Sequence, residues 1–93
     1  MVSSNAIVSI ERPERYAKQL ASHLGNKIEA VEILTGWHLN FGIGIAVISW
    51  TESSLNLQAS SETAEDLEKI QFVLDKHLRK FAAKLGELEI NFI

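Results

Sequence analysis

The chain has 93 residues, enough for one domain with one hydrophobic core, and 1–93 reads as a single domain. Hydrophobic residues make up 46%, charged residues 23%, and proline occurs once, a globular composition that excludes disorder. Nine Lys and Arg against twelve Asp and Glu leave a net charge of −3; the basic residues are scattered, which argues against nucleic acid as a partner.

No apolar run approaches the roughly 20 residues of a membrane span, so no membrane association is expected. Met1-Val2-Ser3-Ser4-Asn5 has neither the basic nor the apolar stretch of a secretion signal, and the expected location is the cytoplasm. With zero cysteines there is no disulfide framework, no thiolate metal site and no cysteine nucleophile.

In chain order, Ala6 to Ile10 is short and β-branched and reads as a strand. Pro13 suits the first turn of a helix, where its missing N–H costs nothing. Tyr16, Ala17, Leu20, Ala21 and Leu24 recur at helical spacing, and Gly25-Asn26 is expected to stop the helix in a left-handed cap. A β-rich middle follows: Ile28 to Leu34, then Trp37, Leu39 and Phe41 alternating with His38 and Asn40. Ile45 to Thr51 comes next, and Leu55, Leu57 and Ala59 alternate after it. The short connections, with a break at Gly42-Ile43-Gly44, predict a four-stranded antiparallel meander. Thr63 with Asp66 resembles a capping box, opening a long helix with an apolar stripe from Leu67 to Leu85 that Gly86 ends. Leu88, Ile90 and Phe92 alternate with Glu89 and Asn91 as a final strand. The expected fold is α+β and two-layered, an antiparallel sheet with two helices on one face, in the order β-α-β-β-β-β-α-β.

Three segments carry a family resemblance. Arg15-Tyr16-Ala17-Lys18-Gln19-Leu20, with His23 and Lys27 after it, is similar to the first helix of a bacterial family known as domain of unknown function twenty-two eighteen. Phe41-Gly42-Ile43-Gly44 resembles its central Phe and Gly turn. Asp75-Lys76-His77-Leu78-Arg79-Lys80-Phe81-Ala82 resembles its His-Leu-x-Arg-Phe-Ala run. The resemblance extends from Ala6 to Phe92. It departs from the family at Phe92, where members often end in tryptophan, and at Gly25-Asn26. Family members occur as short stand-alone chains and beside siderophore-interacting flavoproteins. The resemblance thereby implies, as an alternative to a plain binding role, an accessory or metal-dependent protein in iron or siderophore handling, with a small-molecule or protein partner there. Some similar chains carry a dihydroxyheptenedioate aldolase label. That label implies a (β/α)8 barrel of about 250 residues, which this length does not supply.

Two histidines matched by the resemblance, His23 and His77, lie at the borders of their helical apolar stripes. If the helices pack side by side, the two imidazoles meet and become candidates to bind a divalent metal or share a proton. Against this stands a structural reading, each ring donating to a backbone carbonyl and shielding the core. A metal site normally takes three or more protein ligands; His38, on the polar face of its strand, serves as a third only if that strand lies beneath both helices. Arg79, assisted by Arg15, is a candidate for holding a carboxylate or phosphate, with Asp75–Arg79 pairing as the alternative. Lys27 is a candidate Schiff-base lysine if desolvated, and a snorkelling side chain otherwise.

The serines lie outside any nucleophile elbow, and Gly42-x-Gly44 lacks the context of a phosphate loop, so the reading leans away from an enzyme. Phe72 falls opposite the stripe of its helix. Trp37 and Trp50 flank the Gly42 turn and belong either to the core or to an uncovered sheet face. All three are interface candidates. The sequence thus describes a small binding or interaction module, self-associating as a homodimer, without catalysis of its own. Its ligand site is expected between the helix borders at His23, His77, Arg79, Arg15 and Lys27, and its cofactor is not specified.

Overall fold

Alternating apolar and polar residues place five strands in one antiparallel sheet, and two apolar-striped helices cover one of its faces. The computed structural model describes residues 1–86 and 88–93. The elements are β1 (Val2–Ser9), α1 (Pro13–Leu24), β2 (Glu29–Ile33), β3 (Gly36–Asn40), β4 (Gly44–Trp50), β5 (Ser54–Ser61) and α2 (Ala64–Phe81), with a 3-10 turn at Ala83–Leu85. The sheet order is β1-β5-β4-β3-β2. Strands β2 to β5 form the expected meander, and β1 pairs antiparallel along the outer edge of β5.

Period-two alternation decides what each strand presents to the helices. Ala6 and Val8 of β1, Leu39 of β3, Ala46 and Ile48 of β4, and Leu55, Leu57 and Ala59 of β5 are all buried beneath them. Above them α1 contributes Tyr16, Ala17, Leu20, Ala21 and Leu24, and α2 contributes Leu67, Ile70, Leu74 and Leu78. Each fully buried Leu, Ile or Val contributes about 1.5–3 kcal/mol relative to exposure, and this single layer is the core.

Local chemistry sets the boundaries. Pro13 opens α1, preceded by Arg12 at φ 52° and ψ 54°, a left-handed conformation unusual for a residue with a side chain. Thr63 caps α2, its hydroxyl accepting from the Asp66 N–H at 3.1 Å. The reciprocal arm comes from Ser61, whose Oγ accepts from the Thr63 N–H at 3.3 Å. The cap is therefore split between two residues. Gly44 lets β4 run tightly under α2, since a Cβ there would overlap the Ser60 carbonyl and the end of the Ile70 side chain. Gly36 likewise lies hard against the Ile48 carbonyl.

Three expectations are corrected. Gly25 is right-handed, at φ −62° and ψ −13°, because the chain continues in helical turns whose N–H groups return to Ala21, His23 and Leu24. The second helix ends at Phe81 rather than Leu85, and the last residues tighten into the 3-10 turn before Gly86 at φ 90°. The final strand is not completed. Leu88 and Ile90 are buried while Glu89 and Asn91 are exposed, so the alternation is real. Among the described residues, however, this segment closes one reciprocal backbone pair, Asn5 with Ile93, at 2.9 Å in each direction. That exchange is antiparallel in type and puts the segment beside β1 without a ladder.

Candidate functional site

Two clusters of chemistry-bearing side chains lie at opposite ends of α1. The first is aromatic. His23, in the last turn of α1, meets His77 of α2 with ring centroids 4.9 Å apart and planes tilted by 42°. Phe81, one helical turn beyond His77, sets its ring edge-on to His23 at 5.2 Å. The His77 Nδ1 lies 2.8 Å from the Val73 carbonyl oxygen, one turn back on its own helix. A carbonyl only accepts, so Nδ1 carries the proton and Nε2 is the free nitrogen of the neutral ring. His77 is half-buried and His23 exposed. His77 thus takes the structural role weighed for it, while His23, exposed and without a side-chain hydrogen bond among the described residues, meets it only ring to ring.

The other residues expected beside this pair are elsewhere. Arg79 is engaged, its Nε donating to Asp75 Oδ1 at 2.6 Å and an Nη to the Leu88 carbonyl at 2.8 Å. The guanidinium fastens the C-terminal segment to α2. Lys27 is exposed beyond the end of α1, so the desolvation a Schiff-base lysine requires is missing. His38 is on the sheet face opposite the helices, paired across strands with Val31 and Val47, and cannot be a third ligand to the pair. Arg15 precedes His23 by eight residues, about 12 Å along the helix axis.

Arg15 belongs to the second cluster. A groove of about 810 Å³ runs between the first turns of α1 and the β4–β5 turn, lined by Arg12, Arg15, Lys18, Trp50, Thr51 and Glu52 among others. Arg15 and Lys18, three residues apart on α1, share one face, and Arg12, just before the helix, lines the same groove. All three are exposed, and among the described residues none makes an ion pair within 4.0 Å. Trp50 ends β4 and forms the apolar wall. The turn below is fixed by Thr51, whose Oγ1 lies 2.7 Å from Ser54 Oγ and also accepts from the Ser54 N–H. Sequence reasoning singled out Arg15 and Trp50 separately and missed Arg12 and Lys18. The three-residue spacing of the cations was the available signal.

The tryptophans are not on an uncovered face. Trp37 and Trp50 occupy the helix-covered side and pack, half-buried, against the core. The open face instead carries Ile7, Val31, Ile33 and Ile45, with Ile7 66% exposed. Phe72 is 65% exposed on the outside of α2, with the Lys76 ammonium 5.9 Å from its ring centroid. Among the described residues, no group of three or more His, Cys, Asp or Glu side chains is arranged to hold a metal ion. No described helix is long and apolar enough to cross a membrane.

The family model described as "Uncharacterized protein conserved in bacteria (DUF2218)" matches residues 5–92. The chain belongs to this family. A solved structure shares the fold: the NMR structure of PA4090 from Pseudomonas aeruginosa superimposes with a TM-score of 0.83 at 24% identity. The match covers 100% of this chain and 96% of that one. No curated protein matches the chain significantly. The fold, two helices on a five-stranded antiparallel sheet, is not the (β/α)8 barrel that the aldolase label implies.

Proposed function

We propose that this DUF2218 domain is a small binding module, and that the groove beside Trp50 takes an anionic ligand with an apolar, preferably aromatic, body. The observation that carries this reading is that three exposed cations, Arg12, Arg15 and Lys18, line a groove walled by Trp50 and outnumber the two acids there, Glu14 and Glu52. Guanidinium groups pair with carboxylates or phosphates in two-point fashion, and an indole offers a flat apolar surface to a ring. Such a site orients and holds a ligand; it supplies binding rather than catalysis.

The test is titration of the chain with 2-naphthoate and with phenyl phosphate, followed through the indole N–H resonance of Trp50. A saturable shift at Trp50, with backbone shifts from Arg12 to Lys18, is the expected result. Equal response to cyclohexylammonium, or none to either anion, would contradict it.

A second reading, self-association as a homodimer, is supported by the uncovered sheet face, where Ile7 at 66% and Val31 at 47% exposure stand among Ser, Asn and Gln side chains. Light scattering on wild type and Ile7→Lys separates the alternatives. A dimer that the substitution dissociates supports this reading, and a wild-type monomer at high concentration rejects it.

A further inference from the structure

The histidine pair at the far end of α1 has a chemistry of its own. Three observations bear on it. The first is orientation. The His77 Nδ1–H is spent on the Val73 carbonyl at 2.8 Å, leaving Nε2 with a free lone pair on a ring that its own helix holds in place. Metal-binding histidines are commonly fixed in this way, by a hydrogen bond from the other ring nitrogen.

The second is spacing. A late first-row metal sits about 2.0–2.1 Å from each imidazole nitrogen, which puts it about 3.2 Å from each ring centre. Two imidazoles sharing such an ion at angles between 90° and tetrahedral have ring centres about 4.5–5.2 Å apart. The observed 4.9 Å falls within that interval. His23 makes no hydrogen bond among the described residues, so its ring can turn to present either nitrogen.

The third is the local field. His23 is the penultimate residue of α1, and His77 lies four residues before the end of α2. His23 therefore sits in the last turn of α1, where the partial negative end of the helix favours a cation, while the last turn of α2 already carries Arg79 and Lys80.

We propose that His23 and His77 form a two-histidine site for a late first-row divalent metal ion, Cu²⁺, Ni²⁺ or Zn²⁺, with water in the remaining positions. Imidazole nitrogen selects these ions over Mg²⁺ and Ca²⁺, which require oxygen ligands. Two protein ligands leave an open coordination sphere, so the ion is exchangeable rather than structural. Phe81 walls one side of the site at 5.2 Å from the His23 ring. This site is independent of the Trp50 groove.

The experiment uses the full chain after chelator treatment, titrated with Zn²⁺ and observed in long-range ¹H–¹⁵N spectra of the imidazoles. The expected result is saturation at one equivalent, with His23 and His77 shifting together, His77 coordinated through Nε2, and no response to Mg²⁺. His23→Ala, which removes an exposed ring without hydrogen bonds, should weaken Zn²⁺ by about tenfold or more while leaving the fold unchanged. His77→Ala should weaken Zn²⁺ likewise, with some loss of stability because its bond to the Val73 carbonyl goes too, and His38→Ala should have no effect. Shifts confined to one of the two rings, affinity unchanged in His23→Ala, or no response below a large excess of Zn²⁺ would each overturn the proposal.

Discussion

The guanidinium of Arg79 joins Asp75, four residues earlier on α2, to the carbonyl of Leu88, nine residues later. A side chain whose position suggested ligand binding is thereby a fastener. It holds the start of the segment whose end pairs with Asn5 on β1. Arg79→Ala should cost about 1 kcal/mol, since the charge-assisted bonds are partly solvated. The informative readout is hydrogen exchange. The Ile93 and Asn5 amides should lose protection more than the strands of the meander do. Unchanged protection at Ile93 would mean the segment is held by Leu88 and Ile90 burial alone.

Leu74 is fully buried at the centre of α2. Leu74→Ala should cost about 2–5 kcal/mol in denaturant unfolding, through lost transfer energy and the cavity left behind. Phe72→Ala, on the opposite side of the same helix, should change stability by about 0.5 kcal/mol or less. Equal effects at the two positions would contradict the assigned orientation of α2.

Gly44 is required by close approach rather than by an unusual backbone angle. A methyl group there would meet the Ser60 carbonyl and the Ile70 side chain. Gly44→Ala should therefore destabilise by about 1–3 kcal/mol, the usual cost of overpacking. A neutral outcome by thermal unfolding would show that β4 can move away from β5 and α2 without loss.

Thr63→Ala should lower stability by about 1 kcal/mol, the typical value of an N-cap, because the Asp66 N–H loses its acceptor. Ser61→Ala removes the other half of the cap from the Thr63 N–H. Since the two share one turn, the double variant should depart from the sum of the singles.

Much of the fold is legible in the residues themselves. Pro13 and the Tyr16–Leu24 spacing give α1 its observed limits, and the alternation from Trp37 onward gives the meander. β1 is longer than its β-branched stretch indicates, because Ser3 and Ser4 carry no apolar alternation and are ordered by pairing with Ser60 and Ala59. The end of α2 and the final segment depend on tertiary fit: Arg79 and the Asn5 pair decide them, and neither is a periodic signal. Alternation assigns Trp37, Leu39 and Phe41 to one face of β3, but not which face the helices cover. The site follows the same division. His23 and His77 were recognisable as helix-border residues, and their contact follows from how the helices pack. The groove unites residues 12–18 with residues 50–52, which only the fold brings together.

The central claim is that the groove binds an anionic, partly apolar ligand through its cations. Calorimetric titration of 2-naphthoate into wild type and Arg12→Ala/Arg15→Ala tests it most directly. A charge-assisted contact of an exposed side chain is worth up to about 1 kcal/mol, so losing two is worth about 1–2 kcal/mol, and each 1.4 kcal/mol is about tenfold in affinity. The double variant, folded by circular dichroism, should therefore bind about fivefold to thirtyfold more weakly, with added salt weakening the wild type in the same direction. Equal affinity in the two proteins, or wild-type binding indifferent to salt, would contradict the account.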